Sequence, residues 1–86
     1  MFSTKRRLLL VDDEQDITSI LSSVLQESGF EVTPFQDPLL ALKHFKPRYY
    51  DLVILDIKMP DMNGFELYRQ IRGKRYPGKG LFSDSC

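Results

Sequence analysis

Two groups of carboxylates follow directly on apolar runs: Asp12-Asp13-Glu14 comes after Leu8-Leu9-Leu10-Val11, and Asp56 comes after Leu52-Val53-Ile54-Leu55. A short apolar run framed by charges reads as a strand covered on both faces. In a parallel sheet the carboxyl ends of all strands lie along one edge, where ligands bind. Asp12, Asp13 and Asp56 can therefore converge from two strands. Like charges held that close raise one another's pKa unless a cation compensates. An all-oxygen ligand set with room for waters suits Mg²⁺ better than a soft metal. A bound Mg²⁺ can also neutralise charge on a phosphoryl group moving to a carboxylate nucleophile. The plainer reading is a set of solvated aspartates at strand ends and helix caps.

Positioning those carboxylates requires the intervening elements. Ile17, Ile20, Leu21, Val24 and Leu25 fall on one helical face, with Asp13 expected as N-cap, Asp16 in the first turn and Gly29 as a left-handed stop. Phe30 to Thr33 alternates like a half-buried strand, and Pro34 suits an edge position. Asp37-Pro38 opens a second helix that runs to about Lys46 and buries Ala41, Leu42 and Phe45, with Pro47 as its stop. Residues 51–56 are the strongest strand, expected to be central. Asn63-Gly64 marks a turn, and Phe65, Leu67, Tyr68 and Ile71 begin a third helix. Alternating strands and helices predict an α/β fold of parallel βαβ units with right-handed crossovers. A βαβ unit needs about 30 residues or more, so 86 residues are expected to hold three strands and three helices. Residues 73–86 carry Gly73, Gly78, Gly80 and Pro77 with no period, and are expected to form a basic, Gly-rich tail.

The acidic pair after the first strand and the run Asp56-Ile57-Lys58-Met59-Pro60-Asp61-Met62-Asn63-Gly64 after the third together resemble the receiver domain of two-component response regulators. The resemblance covers residues 5–72, a partial receiver domain. It implies a flavodoxin-like, doubly wound parallel sheet, here incomplete, with three strands in the order 2-1-3 and three helices. It implies that Asp56 is the phospho-acceptor, that Asp13 and Asp56 ligate Mg²⁺ directly, that Asp12 acts through water, and that the Lys58 backbone carbonyl adds a ligand. Met59-Pro60 and Gly64 would shape the loop. The implied function is phosphorelay signal transduction, the phosphoryl group coming from a histidine kinase or phosphotransfer protein. Receivers continue with two more βα units, which supply a Ser or Thr after the fourth strand and a Lys after the fifth. The sequence shows neither unit, so no residue is assigned these roles, and the chain reads as truncated after the third unit. Truncation would leave the third strand as an open edge, through which self-association is expected.

Other classes are weighed against this. An aspartyl phosphatase resembling the haloacid dehalogenase family wants D-x-D after the first strand, which Leu10-Val11-Asp12-Asp13-Glu14 does not supply. An interaction-only module would make the open edge useful. The chain is expected not to be an enzyme. Twelve basic residues balance twelve acidic ones, so no field favours nucleic acid or an anionic membrane, although the basic charge concentrates after residue 64. The single cysteine, Cys86, excludes a disulfide-stapled miniprotein and makes the cytoplasm the default. The basic start is followed by only four apolar residues, too few for a signal peptide or a membrane span. Gly73 to Gly80 matches G-x-x-x-x-G-K and then fails, because Gly80 stands where Ser or Thr would hold Mg²⁺. His44 has no metal-binding companion and reads as a surface residue. Tyr49 and Tyr50 read as covers for the start of the third strand, since a stacking platform needs basic interleaving and only Arg48 is adjacent. Phe35, Leu39 and Leu40 read as packing residues.

Overall fold

The computed structural model describes residues 5–83; Asp84, Cys86 and the start Met1 to Thr4 lie outside the described residues. The elements are β1 (Arg6–Val11), α1 (Gln15–Glu27), β2 (Phe30–Phe35), α2 (Pro38–Lys43), β3 (Leu52–Asp56), α3 (Gly64–Gly73) and β4 (Lys79–Ser83). One sheet runs in the order β2-β1-β3-β4, every neighbouring pair parallel. The flavodoxin-like order 2-1-3 is as expected, and Pro34 indeed lies on an edge strand, where its missing N–H costs no ladder bond. None of the described helices is long and apolar enough to cross a membrane.

The fourth strand corrects the sequence reading on two points. Part of the stretch expected to be a tail pairs with β3, from Leu52↔Lys79 to Asp56↔Ser83, so β3 is internal and the open edges are β2 and β4. Tyr76 explains how the chain returns. Its side chain is 3% exposed, its ring meets Phe45 edge-on at 5.7 Å, and its hydroxyl donates to the Lys79 carbonyl at 2.8 Å. Arg75, at φ 67°, makes the reversal that ends α3. Gly80 lets the strand lie under α3, because a Cβ there would run into the Tyr68 ring.

The sheet's two faces are covered unequally. Leu9, Val11, Val53 and Leu55 pack with Ala41, Phe45, Leu67 and Ile71 under α2 and α3. Strand alternation turns Leu8 and Leu10 to the opposite face, and both are fully buried, as a central strand requires. On that face, the α1 stripe predicted from the sequence is only partly covered, with Ile20 61% and Val24 53% exposed. Leu81, in register with Ile54, is also exposed. Leu39 and Leu40 are exposed too, contrary to their reading as packing residues. Helix α2 ends at Lys43, short of the expected Lys46, yet Phe45 is still buried. Its N-cap is as predicted, Asp37 accepting from the Leu39 N–H at 3.0 Å.

Burial pushes the Tyr76 hydroxyl up to about 12, with the charges of Tyr68 and Asp51 adding to it and the bond to Lys79 opposing. A folded pKa above the ordinary tyrosine value of about 10 means that stability is full below pH 10 and falls as pH climbs toward 12. Tyr76→Phe should be about 1 kcal/mol less stable at neutral pH through the lost hydrogen bond, and its stability should fall less between pH 10 and 12. Urea titrations at neutral and alkaline pH measure both effects.

Candidate functional site

The pairing of β1 with β3, from Leu8↔Leu52 to Val11↔Leu55, brings Asp12 and Asp56 side by side one residue further on. Both are nearly inaccessible, at 1% and 2%, while Asp13 is exposed at the rim. A carboxylate oxygen from each of the three lies within 4.8 Å of the others. The convergence expected from the sequence is therefore present.

Local hydrogen bonds fix each strand end. The Asp12 N–H donates to the Phe35 carbonyl at 3.1 Å, extending the β1–β2 ladder to the site. Asp12 Oδ1 accepts from the Glu14 N–H at 3.0 Å, a turn that sends the chain into α1. Glu14 occupies the N-cap position with no side-chain bond, so Asp13 is not the cap that the sequence suggested, and its carboxylate is left to the cluster. Thr18, which sequence reasoning missed, is 4% exposed; its hydroxyl stands 3.1 Å from the Asp12 carbonyl and 3.0 Å from the Glu14 carbonyl, tying the turn to the helix. The available signal was a hydroxyl beside Ile17 on the inner face of an apolar helix.

Asp56 Oδ1 accepts from the Lys58 N–H at 3.3 Å. The Ile57 N–H donates to the Ser83 carbonyl at 2.8 Å, and the Ile57 carbonyl accepts from the Gly64 N–H at 3.0 Å. Gly64, the first residue of α3, packs against the end of β3: a Cβ there would collide with the Asp56 carbonyl oxygen and stand 3.2 Å from the Ile57 Cα. Met59 anchors the loop by turning into the core, whereas Pro60 is exposed. Asn63 caps α3, accepting from the Glu66 N–H at 2.8 Å. Lys58 thus lies in a loop fixed at both ends. His44 and the Tyr49-Tyr50 pair lie outside the acidic cluster, and Lys74 and Lys79 are exposed. Ser83, within the supposed tail, ends β4 in register with Asp56.

The electrostatics match this geometry. Desolvation, then the hydrogen bond and charge of the neighbouring Asp56, raise the Asp13 carboxyl above its ordinary value, against a smaller backbone contribution. The donors of the cluster are hard carboxylate oxygens, a set that fits Mg²⁺.

A family model described as the response regulator receiver domain matches residues 8–82. That match takes in most of β4 as well as the acidic motifs. Regulatory protein VanRc of Enterococcus gallinarum is 39% identical over 66 residues, 77% of this chain and 29% of that protein. A chain of the complex between the histidine kinase ThkA and the response regulator protein TrrA superposes with a TM-score of 0.83 at 41% identity, over 93% of this chain and 69% of that one. TrrA from Thermotoga maritima in complex with Mg(2+)-BeF superposes at 0.82 with 43% identity, over 90% and 67%. The chain spans under a third of the length of the curated relatives it matches.

Because Asp13 is raised in the folded state, its contribution to stability is full at acid pH and is lost as pH rises through the folded value. Asp56→Asn removes the neighbouring charge, so the metal-free variant should exceed the parent in stability at pH 7 and approach it at pH 3. Chemical unfolding in the presence of a chelator measures the difference.

Proposed function

This chain belongs to the response regulator receiver domain family, and from that premise we propose that Asp56 is its phospho-acceptor, taking a phosphoryl group from the phosphohistidine of a histidine kinase or phosphotransfer protein. The observation that carries this reading is the convergence of Asp12, Asp13 and Asp56 at adjacent strand ends. An Asp56 Oδ attacks phosphorus, an O–P bond forms as the N–P bond breaks, and the imidazole leaves with the electron pair and takes up a proton. Asp12, Asp13, Asp56 and the Lys58 backbone carbonyl would hold Mg²⁺, which when bound supplies positive charge against the phosphoryl oxygens. The Lys58 N–H holds the Asp56 carboxylate in place, and the fixed ends of the 57–63 loop limit its reorientation. Ser83 is the last residue of β4 and in register with Asp56, and on that ground we propose it for the role that the family gives to a Ser or Thr after the fourth strand.

On this reading the chain accepts one group and is not a turnover enzyme. Its donor is a kinase, as TrrA is seen with ThkA, and its place is the cytoplasm. A second reading, a module that completes its fold on another copy, draws on the exposed Ile20, Val24 and Leu81; a concentration-independent monomer mass by sedimentation would exclude it.

Incubation with a phosphorylated histidine kinase and Mg²⁺ should add one phosphoryl group per chain, read by mass spectrometry. Asp56→Asn or a chelator should abolish the addition, whereas multiple turnovers of a generic phosphate ester would point to a phosphatase instead. Ser83→Ala should keep the phosphorylation but lose the β4 amide shifts that accompany it. Mg²⁺ at ten times its Kd should stabilise the parent by about 1.4 kcal/mol, and Asp56→Asn by clearly less.

A further inference from the structure

The segment from Lys43 to Arg48 reads Lys-His-Phe-Lys-Pro-Arg, with three cations, a histidine and no carboxylate. In the fold it faces the edge strand β2 across a pocket of ≈ 400 Å³ lined by Thr33, Phe35, His44, Lys46, Tyr49 and Tyr50. None of these residues belongs to the acidic cluster.

The lining is aromatic on two sides. Phe35 and His44 stack with centroids 6.1 Å apart and planes 11° from parallel, while Tyr49 and Tyr50 meet edge to face at 4.9 Å. Thr33 and Tyr50 both line the pocket and place two hydroxyls at its wall. The fold also supplies the basic neighbours that the sequence around Tyr49-Tyr50 lacked. The Arg7 guanidinium lies 4.3 Å from the Tyr49 ring centroid, and the Lys46 ammonium 5.7 Å from it. Arg7 is partly engaged by Glu31 at 3.8 Å, which leaves Lys46 as the cation that lines the pocket.

We propose that this pocket binds a planar aromatic group carrying a phosphate, of the size of a nucleoside monophosphate. Its volume lies in the range of small-ligand sites, about 300–1,000 Å³. A base presents a π-face to the aromatic walls, a contact that tolerates different ring identities. Polar edges of the ring meet the Thr33 and Tyr50 hydroxyls, and the phosphate sits against Lys46. A purely apolar docking patch does not explain a lining that includes Lys46, His44 and two hydroxyls, and a simple anion site does not explain the aromatic walls.

The test is an amide NMR titration of the full chain, freed of divalent metal so that the acidic cluster does not recruit phosphate. AMP, adenosine and inorganic phosphate serve as separate probes. AMP should give saturable shifts centred on Thr33, Phe35, His44, Tyr49 and Tyr50, with adenosine weaker and phosphate weaker still. Lys46→Ala, at an exposed position, should weaken AMP binding by about tenfold and leave adenosine unchanged, while Lys46→Arg should retain binding. Unchanged spectral dispersion shows that each variant is folded. The proposal is overturned if AMP gives no saturable shifts at these residues, if all three probes bind alike, or if Lys46→Ala leaves AMP binding intact.

Discussion

The parallel register between β1 and β3 is the constraint from which the rest of the structure follows. Four apolar residues on each strand pair from Leu8↔Leu52 to Val11↔Leu55, and a slip of one residue would part Asp12 from Asp56. The same register delivers Asp12 and Asp56 to neighbouring strand ends, where both are almost wholly removed from water. Burying like charges opposes folding, and backbone donors, from Glu14 to Asp12 and from Lys58 to Asp56, offset part of that cost. The Asp13 carboxyl beside them is raised by desolvation first and then by the bond and charge of Asp56. A sheet centre strong enough to tolerate this imbalance is what allows the site to exist.

That strength comes chiefly from one face. Under α2 and α3 the core is closed by Phe45, Leu67, Ile71 and Tyr76, with Tyr50 stacked on Phe45 at 5.7 Å. On the other face α1 is the sole helix among the described residues, and Ile20, Val24 and Leu81 remain exposed. Strand β4 belongs structurally to the site as well as to the sheet, because its last residue receives the N–H of the residue after Asp56. Without that strand, the far side of Asp56 would have no ladder partner.

The acidic cluster was legible because two uniform apolar runs ended in aspartates, and the motif from Asp56 to Gly64 favoured their convergence over solvated caps. Asn63-Gly64 was legible as a break after the third strand but read as a turn, whereas Asn63 caps α3 and Gly64 opens it. Three features were hidden, each for a physical reason. Strand β4 has a glycine and a lysine among five residues and no alternation, because Gly80 answers to the Tyr68 ring and Leu81 to open solvent. Tyr76, which returns the chain to the sheet, acts through contacts with Phe45 and Lys79 that no periodicity encodes. Thr18 sits on an apolar helix face, where a hydroxyl reads as an interruption until the Asp12 and Glu14 carbonyls are placed beside it.

The backbone just beyond Asp56 is bonded to two other elements at once. Ile57 is bonded on one side to Ser83 at the end of β4 and on the other to Gly64 at the start of α3. Gly64 lies against the Asp56 carbonyl, where a side chain would collide with it, so the start of α3 packs directly on the end of β3. The aromatic contacts of Phe82 with Phe65, at 4.6 Å, and with Tyr68, at 5.5 Å, link the two receiving elements to each other. Both Phe65 and Phe82 are exposed, so the pair is held by its own contacts and not by a closed core. The end of β3 is thus joined through Ile57 to both β4 and α3, and the Phe82 contacts tie those two elements to each other at the surface beside the site.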